Sequence, residues 1–499
     1  MNEKLKRLFE IRSEVEVYYR TLGKLSFDQQ CTAPEEGMEL AGDDMAVVGK
    51  RVFELTHSDE YIALVTELHR DGSGLDDIEK KAVDYMWRDY CREKNFTPEF
   101  SYNMDVAFNR AYTKWLEAKQ KNDFSLFRDS FAEVVDYTRK AIDLRDEKKA
   151  TYYDTCLDDY EQDGSIEQLD GFFAALKERI VPLVKRIVEE GKPIRSDFLT
   201  RPCPIAKQDE FSRYLMDVEG LRRSALVFAT TEHPFTTNFG LHDVRVTTHF
   251  YENNFVSNIF TTLHEGGHAL FMQNEPEEFE RKHVTDRMTS GMHECISRFY
   301  ENIIGRSPEF IHFVYPKFRE LGGDTFADVS ENELYEAVNI SEPSLIRTES
   351  DELTYCLHIM IRYEMEKAFV NGNITVDEVP ALWREKYKEY LGVDVPDDAR
   401  GCLQDVHWTG GYGYFPSYAL GNAYGAQILD TMQKDFDVFA AVKKGELGKI
   451  SDWLIKNVFA HASVSTPDEW IRKITGKPLD VNYYLDYLEK KFTALYGLK

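Results

Sequence analysis

Two imidazoles and a carboxylate stand close together in the sequence His264-Glu-Gly-Gly-His268. Residues four apart share one face of a helix, so both imidazoles can reach a single divalent cation. Glu265 stands beside the first imidazole, where its carboxylate can accept a proton from an attacking water. The pattern predicts a hydrolytic metal centre. A solvated helical face with the same residues and no metal remains the alternative on this motif alone.

A catalytic zinc centre needs a third protein ligand and one open coordination position. Four side chains lie within reach further along the chain: His283, Asp286, His293 and Glu294. Glu294 would complete a set of two His and one Glu, whereas His293 would give three His. The 25 residues between His268 and Glu294 allow one helix to end and a second helix to cross it. We expect one divalent ion, zinc first, with cobalt or manganese able to share such ligands.

The motif contains two adjacent glycines, Gly266 and Gly267, inside a predicted helix. Each costs about 1 kcal/mol relative to Ala in a helix interior. A helix tolerates that cost where another backbone or a substrate must approach closely. The glycine pair therefore predicts a close approach at this helix.

Helical periodicity dominates the elements that must position these residues. Apolar stripes at helical spacing run from 127 to 142 and from 166 to 187, and a last amphipathic helix is predicted from Val481 to Tyr496. Gly191-Lys-Pro193 ends the second stripe, and residues 392–401 read as a loop. Residues 241–251 alternate β-branched with polar residues and predict a half-buried strand just before the metal motif.

Composition and charge restrict the class of protein. The chain has 499 residues, 42% apolar and 30% charged, which is typical of a globular protein. Its net charge of −27 disfavours nucleic acid and anionic membranes as partners. No apolar run reaches the roughly 20 residues of a membrane helix, and the start lacks a stretch fit for a signal peptide. Seven scattered cysteines without a C-x-x-C pair suit a reducing compartment, so we expect a cytoplasmic protein.

Five segments in chain order resemble the motifs of the carboxypeptidase Taq family of HEXXH metallocarboxypeptidases. They are Asp243–Thr247 (D-x-R-x-T), His264–His268, His293-Glu294 (H-E-S/G-Q), Ile346–Asp351 (I-R-x-x-A-D) and Gly401–Trp408 (G-x-x-Q-D-x-H-W). Cys295-Ile296 departs from the small residue and Gln of the third motif, and Ser350 replaces the Ala of the fourth. Neither departure changes a candidate ligand or base.

The resemblance implies a mainly α fold, a large two-lobed helical unit around a deep substrate groove. It implies a small antiparallel sheet next to the metal-binding helix, and it favours Glu294 as the third ligand. We expect one catalytic unit over 1–499, with a helical part to about 235, the motifs at about 236–430 and helices at about 431–499. It further implies a cytoplasmic homodimer that removes C-terminal residues from peptides with broad specificity.

The segment from His407 to Tyr414 contains paired glycines and tyrosines. It resembles the equivalent segment of helical oligopeptidases, in which a His and a Tyr contact the tetrahedral centre. The resemblance implies that His407 and Tyr414 donate to the oxyanion, with Tyr412 and Tyr418 as weaker candidates that bind substrate. An aromatic cluster that belongs to the core is the alternative.

An exopeptidase of this kind must recognise a free carboxylate, which the planar fork of Arg pairs well. Arg347, Arg245 and Arg400 lie in or beside the motifs. The resemblance favours Arg347, with Arg245 second. The alternative is a structural ion pair of Arg347 with nearby acids, namely Glu349, Asp351 and Glu352.

The strand at 243–251 offers a further possibility for substrate binding. An extended peptide could pair with its edge through backbone hydrogen bonds, which would leave the peptide side chains free to vary. The alternative is a strand with a structural role only.

Two other functions remain open on the sequence. An endo-acting helical oligopeptidase could use the same metal centre and would lack a positive charge that blocks the groove beyond the cut. A non-catalytic helical binding protein would require a broken set of ligands, and here the ligands and the base are all present.

Overall fold

The computed structural model describes residues 2–499, without the side chains of Glu35, Met38 and Glu39. Helix makes up 70% of the chain, which confirms the predicted mainly α fold. Within the described residues, the first part of the chain forms the α-helices α1 (Glu3–Cys31), α2 (Met38–Thr56), α3 (Asp59–Arg70), α4 (Asp77–Glu93), α5 (Pro98–Lys121), α6 (Ser125–Asp143), α7 (Tyr152–Tyr160), α8 (Ile166–Glu190) and α9 (Ile205–Glu219).

Local signals account for the ends of these helices. Thr97 caps α5 and Pro98 occupies its first position, where the missing N–H costs nothing. The stripe from 166 to 187 lies within α8, and Gly191 follows its last residue as the C-cap, as predicted. Asp76 and Glu79 bond reciprocally at the start of α4, which satisfies two backbone N–H groups that a bare helix end would leave free.

A three-stranded sheet follows α9, made of β1 (Leu226–Thr230), β2 (Thr236–Asn238) and β3 (Val244–Thr248). The strand order is β1-β3-β2, with β1 parallel and β2 antiparallel to β3. The sheet is therefore mixed, not purely antiparallel as expected. β2 runs in the opposite direction and connects β1 to β3, which are parallel. Only β3 was predicted from the sequence.

The predicted strand at 241–251 corresponds to β3, which is the central strand. Its backbone groups pair with β1 on one side and with β2 on the other. An added peptide strand needs an unpaired edge, so the expectation that a substrate pairs with this strand is wrong.

The second half of the chain contains α10 (Phe255–Asn274), α11 (Glu277–Arg281), α12 (Ser290–Arg298), α13 (Pro308–Gly322), α14 (Glu331–Ala337), α15 (Tyr355–Val370), α16 (Val379–Leu391), α17 (Pro416–Asp435), α18 (Val438–Lys443), α19 (Gly448–Leu454), α20 (Ala460–Ala462), α21 (Pro467–Thr475) and α22 (Asn482–Tyr496). Two π-helical turns, Phe299–Ile304 and Ile455–Phe459, follow α12 and α19 directly. The last helix begins one residue after its predicted start, and the loop predicted at 392–401 follows α16.

Within residues 2–499, the buried apolar side chains form a larger and a smaller core. The larger core joins helices from α5 to α22 with the sheet. The smaller core is built on α1–α4, and Phe279 and Val284 join it from the segment between α10 and α12. The smaller core therefore packs directly on the connection between α10 and α12, the two helices of the metal motifs. Within residues 2–499, no helix combines the length and the apolarity that crossing a membrane requires.

Candidate metal centre and active site

Helix α10 carries the first part of the site. Asn254 caps the helix by accepting a hydrogen bond from the backbone N–H of Ser257, and β3 precedes and packs against it. His264 and His268 lie one turn apart on one face, with ring centroids 5.0 Å apart. Both side chains keep a path to solvent, at 18% and 16% exposure.

Helix α12 brings a third donor to the two imidazoles. Oε2 of Glu294 lies 3.6 Å from Nε2 of His264 and 3.6 Å from Nε2 of His268. The three donor atoms lie within 4.8 Å of one another. Ligands at 2.0–2.2 Å around a tetrahedral ion are separated by about 3.4 Å, so this spacing suits a divalent cation. Among residues 2–499, this is the one such group of His, Cys and acidic side chains.

His293, the rival third ligand, lies behind the imidazole pair. Its Nδ1 is 2.5 Å from Nδ1 of His268, and its Nε2 faces Asp286 at 3.6 Å. His293 therefore contacts the nitrogen of His268 that points away from the three-donor cluster. The geometry separates the two candidates and leaves Glu294 in the cluster.

Outer partners hold His264 and Glu294 in place. Oε2 of Glu301 is 2.9 Å from Nδ1 of His264, and Nε of Arg298 donates to Oε1 of Glu294 over 2.7 Å. Arg298 also donates to Glu301 over 3.0 Å, so one guanidinium links the supports of two donor residues. Glu301 lies in the π-helical turn that follows α12, an irregularity often found at functional sites.

The charges of the cluster follow from burial and from these partners. Burial alone would raise the pKa of Glu294, but Arg298, His264 and His268 outweigh it and hold that pKa well below its usual range. Burial lowers the pKa of His268 to about 3, helped by His293. For His264, burial acts in the same direction, yet Glu294 and Glu301 raise its pKa overall. An ionised carboxylate beside a neutral imidazole is the donor state that a cation needs.

Glu265 lies next to the cluster and faces the sheet. Its Oε2 accepts a hydrogen bond of 2.6 Å from the hydroxyl of Thr236 in β2. Burial raises the pKa of Glu265, whereas His264 and the Thr236 hydroxyl lower it. Thr236 therefore orients the candidate base, and no motif in the sequence pointed to it.

The two glycines of the motif have separate structural reasons. A Cβ on Gly267 would lie 2.8 Å from the backbone of Ile296 and Ser297, so α12 crosses α10 at this point. This confirms the predicted approach of another backbone. A Cβ on Gly266 would collide with the carboxyl group of Glu219, which is buried and has no hydrogen-bond partner.

The segment after Gly401 carries His407 and Tyr414, the two predicted oxyanion donors. Gly410, Gly411 and Gly413 have φ values of 148°, 85° and 96°, in the range that favours glycine. The rings of His407 and Tyr414 stack with centroids 6.0 Å apart. Burial raises the pKa of Tyr414 to about 12, and the charge of Glu294 contributes in the same direction, so the tyrosine lies within electrostatic range of the metal cluster.

The geometry of the site agrees with a comparison of the sequence with models of protein families, in which one model matches almost the whole chain. The model of the family "Carboxypeptidase Taq (M32) metallopeptidase" matches residues 7–492. The chain belongs to this family. It is therefore a metallocarboxypeptidase, a peptidase and a hydrolase, and the predictions of family, enzyme class and function are confirmed.

Relatives in the M32 family agree in sequence and in structure. The chain is 38% identical to carboxypeptidase 1 of Bacillus subtilis, over 99% of each protein. It is 35% identical to thermostable carboxypeptidase 1 of Thermus thermophilus, over 98% of each. The crystal structure of the M32 carboxypeptidase from Deinococcus radiodurans superposes with a TM-score of 0.96, at 29% identity and 100% coverage of both chains.

Arg347 of this M32 metallopeptidase is buried and paired, but not with the acids expected. Its Nε and Nη2 donate to Oδ1 of Asp405 over 3.1 and 3.0 Å, and Arg362 binds Oδ2 of the same carboxylate. Nη1 of Arg347 donates to the hydroxyl of Tyr355 over 3.3 Å. The guanidinium of Arg298 lies 4.3 Å from the Tyr355 ring, so a chain of contacts connects Glu294 to Arg347.

Tyr418 lies on the same side as this chain. Its ring is 5.2 Å from the guanidinium carbon of Arg347 and 5.2 Å from the ring of Tyr414. Burial raises the pKa of Tyr418 well above its usual value, so its hydroxyl stays protonated. The structure thus groups Tyr418 with Tyr414 and Arg347.

Arg245 is not brought to the metal side of the sheet. Thr236, which touches Glu265, pairs with Val246, and alternate residues of a strand point to opposite faces. Arg245 therefore points away from the metal helix. Its guanidinium bonds Asp243 over 3.0 Å and lies over the aromatic rings of two residues, Phe27 and Phe239.

Tyr412 is also absent from the site, contrary to the expectation that it binds substrate. Its side chain is 3% exposed, and its hydroxyl donates to the backbone oxygen of Trp408 over 2.9 Å. The glycines on both sides of it have positive φ values, and the Tyr412 ring points into the core, whereas the Tyr414 ring packs against His407 and Tyr418. Arg400 is likewise occupied, because it pairs with Asp397 on the surface.

The outer partners of the M32 site were not predicted from the sequence. They are Thr236, Arg298, Glu301, Tyr355 and Asp405. None of them lies within two residues of His264, His268 or Glu294 in the sequence. A signal existed for Arg298 and Glu301, which follow Glu294 at i+4 and i+7 and so share its helical face. Asp405 lies in the fifth motif, but nothing there indicated Arg347 as its partner, and Thr236 and Tyr355 had no local signal.

Gly421 in α17 offers a test of the packing behind Glu294. A Cβ at this position would lie 2.8–2.9 Å from three atoms of Glu294, two of which are its own Cγ and Cβ. Gly421→Ala is expected to destabilise the protein by about 1–3 kcal/mol and to weaken metal binding, because α17 must move away from α12. Denaturant unfolding and competition with a chromophoric chelator measure the two effects.

Gly171→Ala in α8 is the matched control. No atom lies within 4 Å of the added Cβ there, and the backbone is helical. We expect it to be neutral or to stabilise by about 0.5–1 kcal/mol. Equal behaviour of the two variants would contradict the role assigned to the α12–α17 contact.

Proposed function

We propose that this M32 metallocarboxypeptidase uses zinc held by His264, His268 and Glu294 to release C-terminal amino acids from peptides with broad specificity. The observation that supports this proposal most is the convergence of three donor atoms within 4.8 Å, with Glu265 beside them. Cobalt and manganese accept the same donors, so the ligand set favours zinc without excluding them.

The residues present fit a catalytic divalent ion. Two imidazole nitrogens and one carboxylate oxygen form the set typical of hydrolytic zinc sites, and the second nitrogen of each imidazole has its own partner. When bound, such an ion polarises the scissile carbonyl and lowers the pKa of water toward about 7.

Glu265 acts as the general base in this proposal. Its carboxylate takes the proton of the attacking water and later passes it to the leaving amine. Thr236 donates to Oε2, which holds the carboxylate in one orientation while Oε1 remains for the water. Burial raises its pKa, which makes it a stronger base than an exposed Glu.

His407 and Tyr414 donate hydrogen bonds to the oxyanion. Burial lowers the pKa of His407 to about 4, so the imidazole is neutral near pH 7 and presents a single N–H. The raised pKa of Tyr414 keeps its hydroxyl protonated. Donors that are already oriented before the reaction stabilise developing charge at little further cost.

Arg347 anchors the free carboxylate of the substrate. Asp405 occupies Nε and Nη2 of the guanidinium, which fixes its orientation. Nη1 donates to the hydroxyl of Tyr355 and has a second N–H that can bind the substrate carboxylate. Tyr418 packs against the guanidinium and binds substrate in this proposal. Arg245 points away from the metal helix, so it has no part in this proposal.

A peptide and its C-terminal amide test the direction of cleavage. We expect the enzyme to shorten the free acid one residue at a time and to cleave the amide at least about 100-fold more slowly, because the amide cannot form a charged pair with Arg347. Mass spectrometry of the products, with and without a chelator, gives both answers. Equal cleavage of both peptides would favour the endo-acting alternative.

Arg347→Ala should raise KM for the free-acid peptide by about 10- to 100-fold, more than it lowers kcat, because it removes a binding contact. Steady-state kinetics on one dipeptide series measures both parameters. Arg400→Ala, on an exposed residue paired with Asp397, is the control. An unchanged KM for the Arg347 variant would assign the anchor to another residue.

We further propose that the chain acts as one catalytic unit over 1–499, as a homodimer in the cytoplasm, on peptides and not on nucleic acid or membranes. The net charge of −27 argues against nucleic acid and anionic membranes, and the cysteines without disulfide partners favour a reducing compartment; the single unit and the dimer rest on the family resemblance. Equilibrium sedimentation of the metal-loaded protein tests the dimer.

A further inference from the structure

Glu161 is a buried carboxylate that follows the last residue of α7. Glu161 is only 4% exposed, yet its two carboxylate oxygens accept hydrogen bonds from three donors. Oε2 accepts from the hydroxyl of Thr289 over 2.7 Å, and Oε1 accepts from the hydroxyl of Ser417 over 2.8 Å and from the backbone N–H of Gly291. Burial raises the pKa of Glu161 to about 7, and these three hydrogen bonds oppose that rise. A buried carboxylate with this many donors is held firmly in one place.

Two of the three donors belong to the start of the helix that carries Glu294. Thr289 is the N-cap residue of α12, and Gly291 lies in its first turn. The carboxylate of Glu161 thus satisfies a backbone N–H that the helix end would leave free, at the positive end of the helix dipole. Glu294 follows Gly291 by three residues, so a shift of this helix end moves Glu294.

The third donor belongs to the start of α17, next to the segment that carries Tyr414. Ser417 lies in the first turn of α17, and its backbone N–H donates to the carbonyl oxygen of Tyr414 over 3.1 Å. The side chain of Ser417 is buried at 1% exposure, so no solvent can replace Glu161 as its partner. A single carboxyl group therefore binds both the helix of Glu294 and the residue that orients Tyr414.

The end of α7 also contacts Tyr414 directly. The ring of Tyr160 meets the ring of Tyr414 edge to face, with centroids 5.3 Å apart. A Cβ on Gly413 would lie 2.5 Å from the carbonyl oxygen of Cys156, so only glycine allows this segment to pack on α7. This close packing on α7 restricts the movement of the segment that carries Tyr414.

We propose that Glu161 is a positioning residue that fixes the relative placement of Glu294 and Tyr414 by binding α12 and the start of α17 at once. This inference rests on the roles proposed above for Glu294 and Tyr414. Glu161 itself touches neither the three-donor cluster nor the proposed substrate position, and it acts through Thr289, Gly291 and Ser417.

Glu161→Gln is the central variant, because the amide keeps the shape but has only one oxygen to accept hydrogen bonds. We expect kcat to fall about 10-fold or more, with KM within about twofold of the wild-type value, because Arg347 is not bonded to Glu161. We expect metal affinity to fall about 10-fold, the lower end of what losing an outer partner costs. The readouts are kcat, KM and metal dissociation by chelator competition.

Two milder variants separate the two connections. Ser417→Ala should lower kcat and leave metal affinity unchanged, because only the Tyr414 side is released. Thr289→Val should weaken metal binding first, because only the start of α12 is released. These variants carry the test if Glu161→Gln fails to fold, since each removes a single hydrogen bond.

Asp154→Asn is the matched control on the same helix. Asp154 is buried, and its Oδ1 accepts from the backbone N–H of Ile166 at the start of α8 over 2.8 Å. The control also replaces a carboxylate at a helix start, yet α8 carries no residue of the site. We expect a lower unfolding midpoint with kcat and metal affinity unchanged.

Two results would overturn the inference. One is a Glu161→Gln variant that matches Asp154→Asn in both kcat and metal affinity. The other is a pair of Ser417→Ala and Thr289→Val variants with wild-type values of both. Glu294→Gln, measured in parallel, separates the inference from the proposed ligand set. If Glu294→Gln retains the metal, the ligand set is wrong and the inference falls with it. If Glu294→Gln loses the metal and Glu161→Gln does not weaken binding, only the inference is overturned.

Discussion

Glu265→Gln is expected to lower kcat by a factor of about 10²–10⁴ and to leave the metal content of the protein unchanged. The amide has nearly the same shape, so Thr236 can still donate to its oxygen, but it cannot accept a proton from water. His264, His268 and Glu294 keep their geometry because Glu265 is not one of the converging donors. The substitution therefore removes the base alone.

Steady-state kinetics and elemental analysis of the same preparation check this expectation. Glu277→Gln, at a side chain 74% exposed on α11, is the control for the change from Glu to Gln. Turnover at the wild-type level in Glu265→Gln would remove Glu265 from the role of base. Loss of the metal would show instead that Glu265 supports the ligand set.

Glu294→Gln is expected to weaken metal binding by more than about 100-fold, beyond the range that loss of an outer partner produces. The amide is a poorer ligand than a carboxylate, whose pKa the surrounding cations hold well below its usual range. The change also removes the charged partner of the Arg298 guanidinium at 2.7 Å and leaves it an amide oxygen and Glu301 as acceptors, in a buried place where weakening a charge pair is costly.

His293→Gln is the matched comparison for this experiment. His293 contacts the outer nitrogen of His268, so its loss should weaken metal binding by about 10- to 100-fold only. Competition with a chromophoric chelator measures both affinities on one scale. A larger effect at His293 than at Glu294 would favour the ligand set of three histidines.

Part of the site could be predicted from local spacing alone. Two His residues four apart on a helix share a face in any fold that keeps the helix, so the pair His264 and His268 needed no tertiary information. The glycine pair predicted a close approach for the same reason, and the backbone of α12 supplies it at Gly267. The end of α8 and the loop after α16 also followed from local signals.

Other features of the site and of the sheet depended on which helices and strands pack against each other. The partner of Arg347 is Asp405, 58 residues away, and not the acids that follow it in sequence. The orientation of Arg245 depended on which face of the sheet packs against α10, and a strand pattern alone does not say which face that is. The mixed sheet, with β3 at its centre, was likewise beyond a sequence in which only one strand was recognised.

Local spacing was enough to indicate the candidate donors, the candidate base beside them and the family, because these reside in short motifs whose spacing survives any packing. The packing of the fold selects the side chains that support them: Thr236 behind Glu265, Arg298 and Glu301 around the candidate ligands, and Glu161 between two helices. Such contacts join residues far apart in the chain. Their partners are chosen by how helices cross and by which face of each element is buried, and neither is written in local spacing.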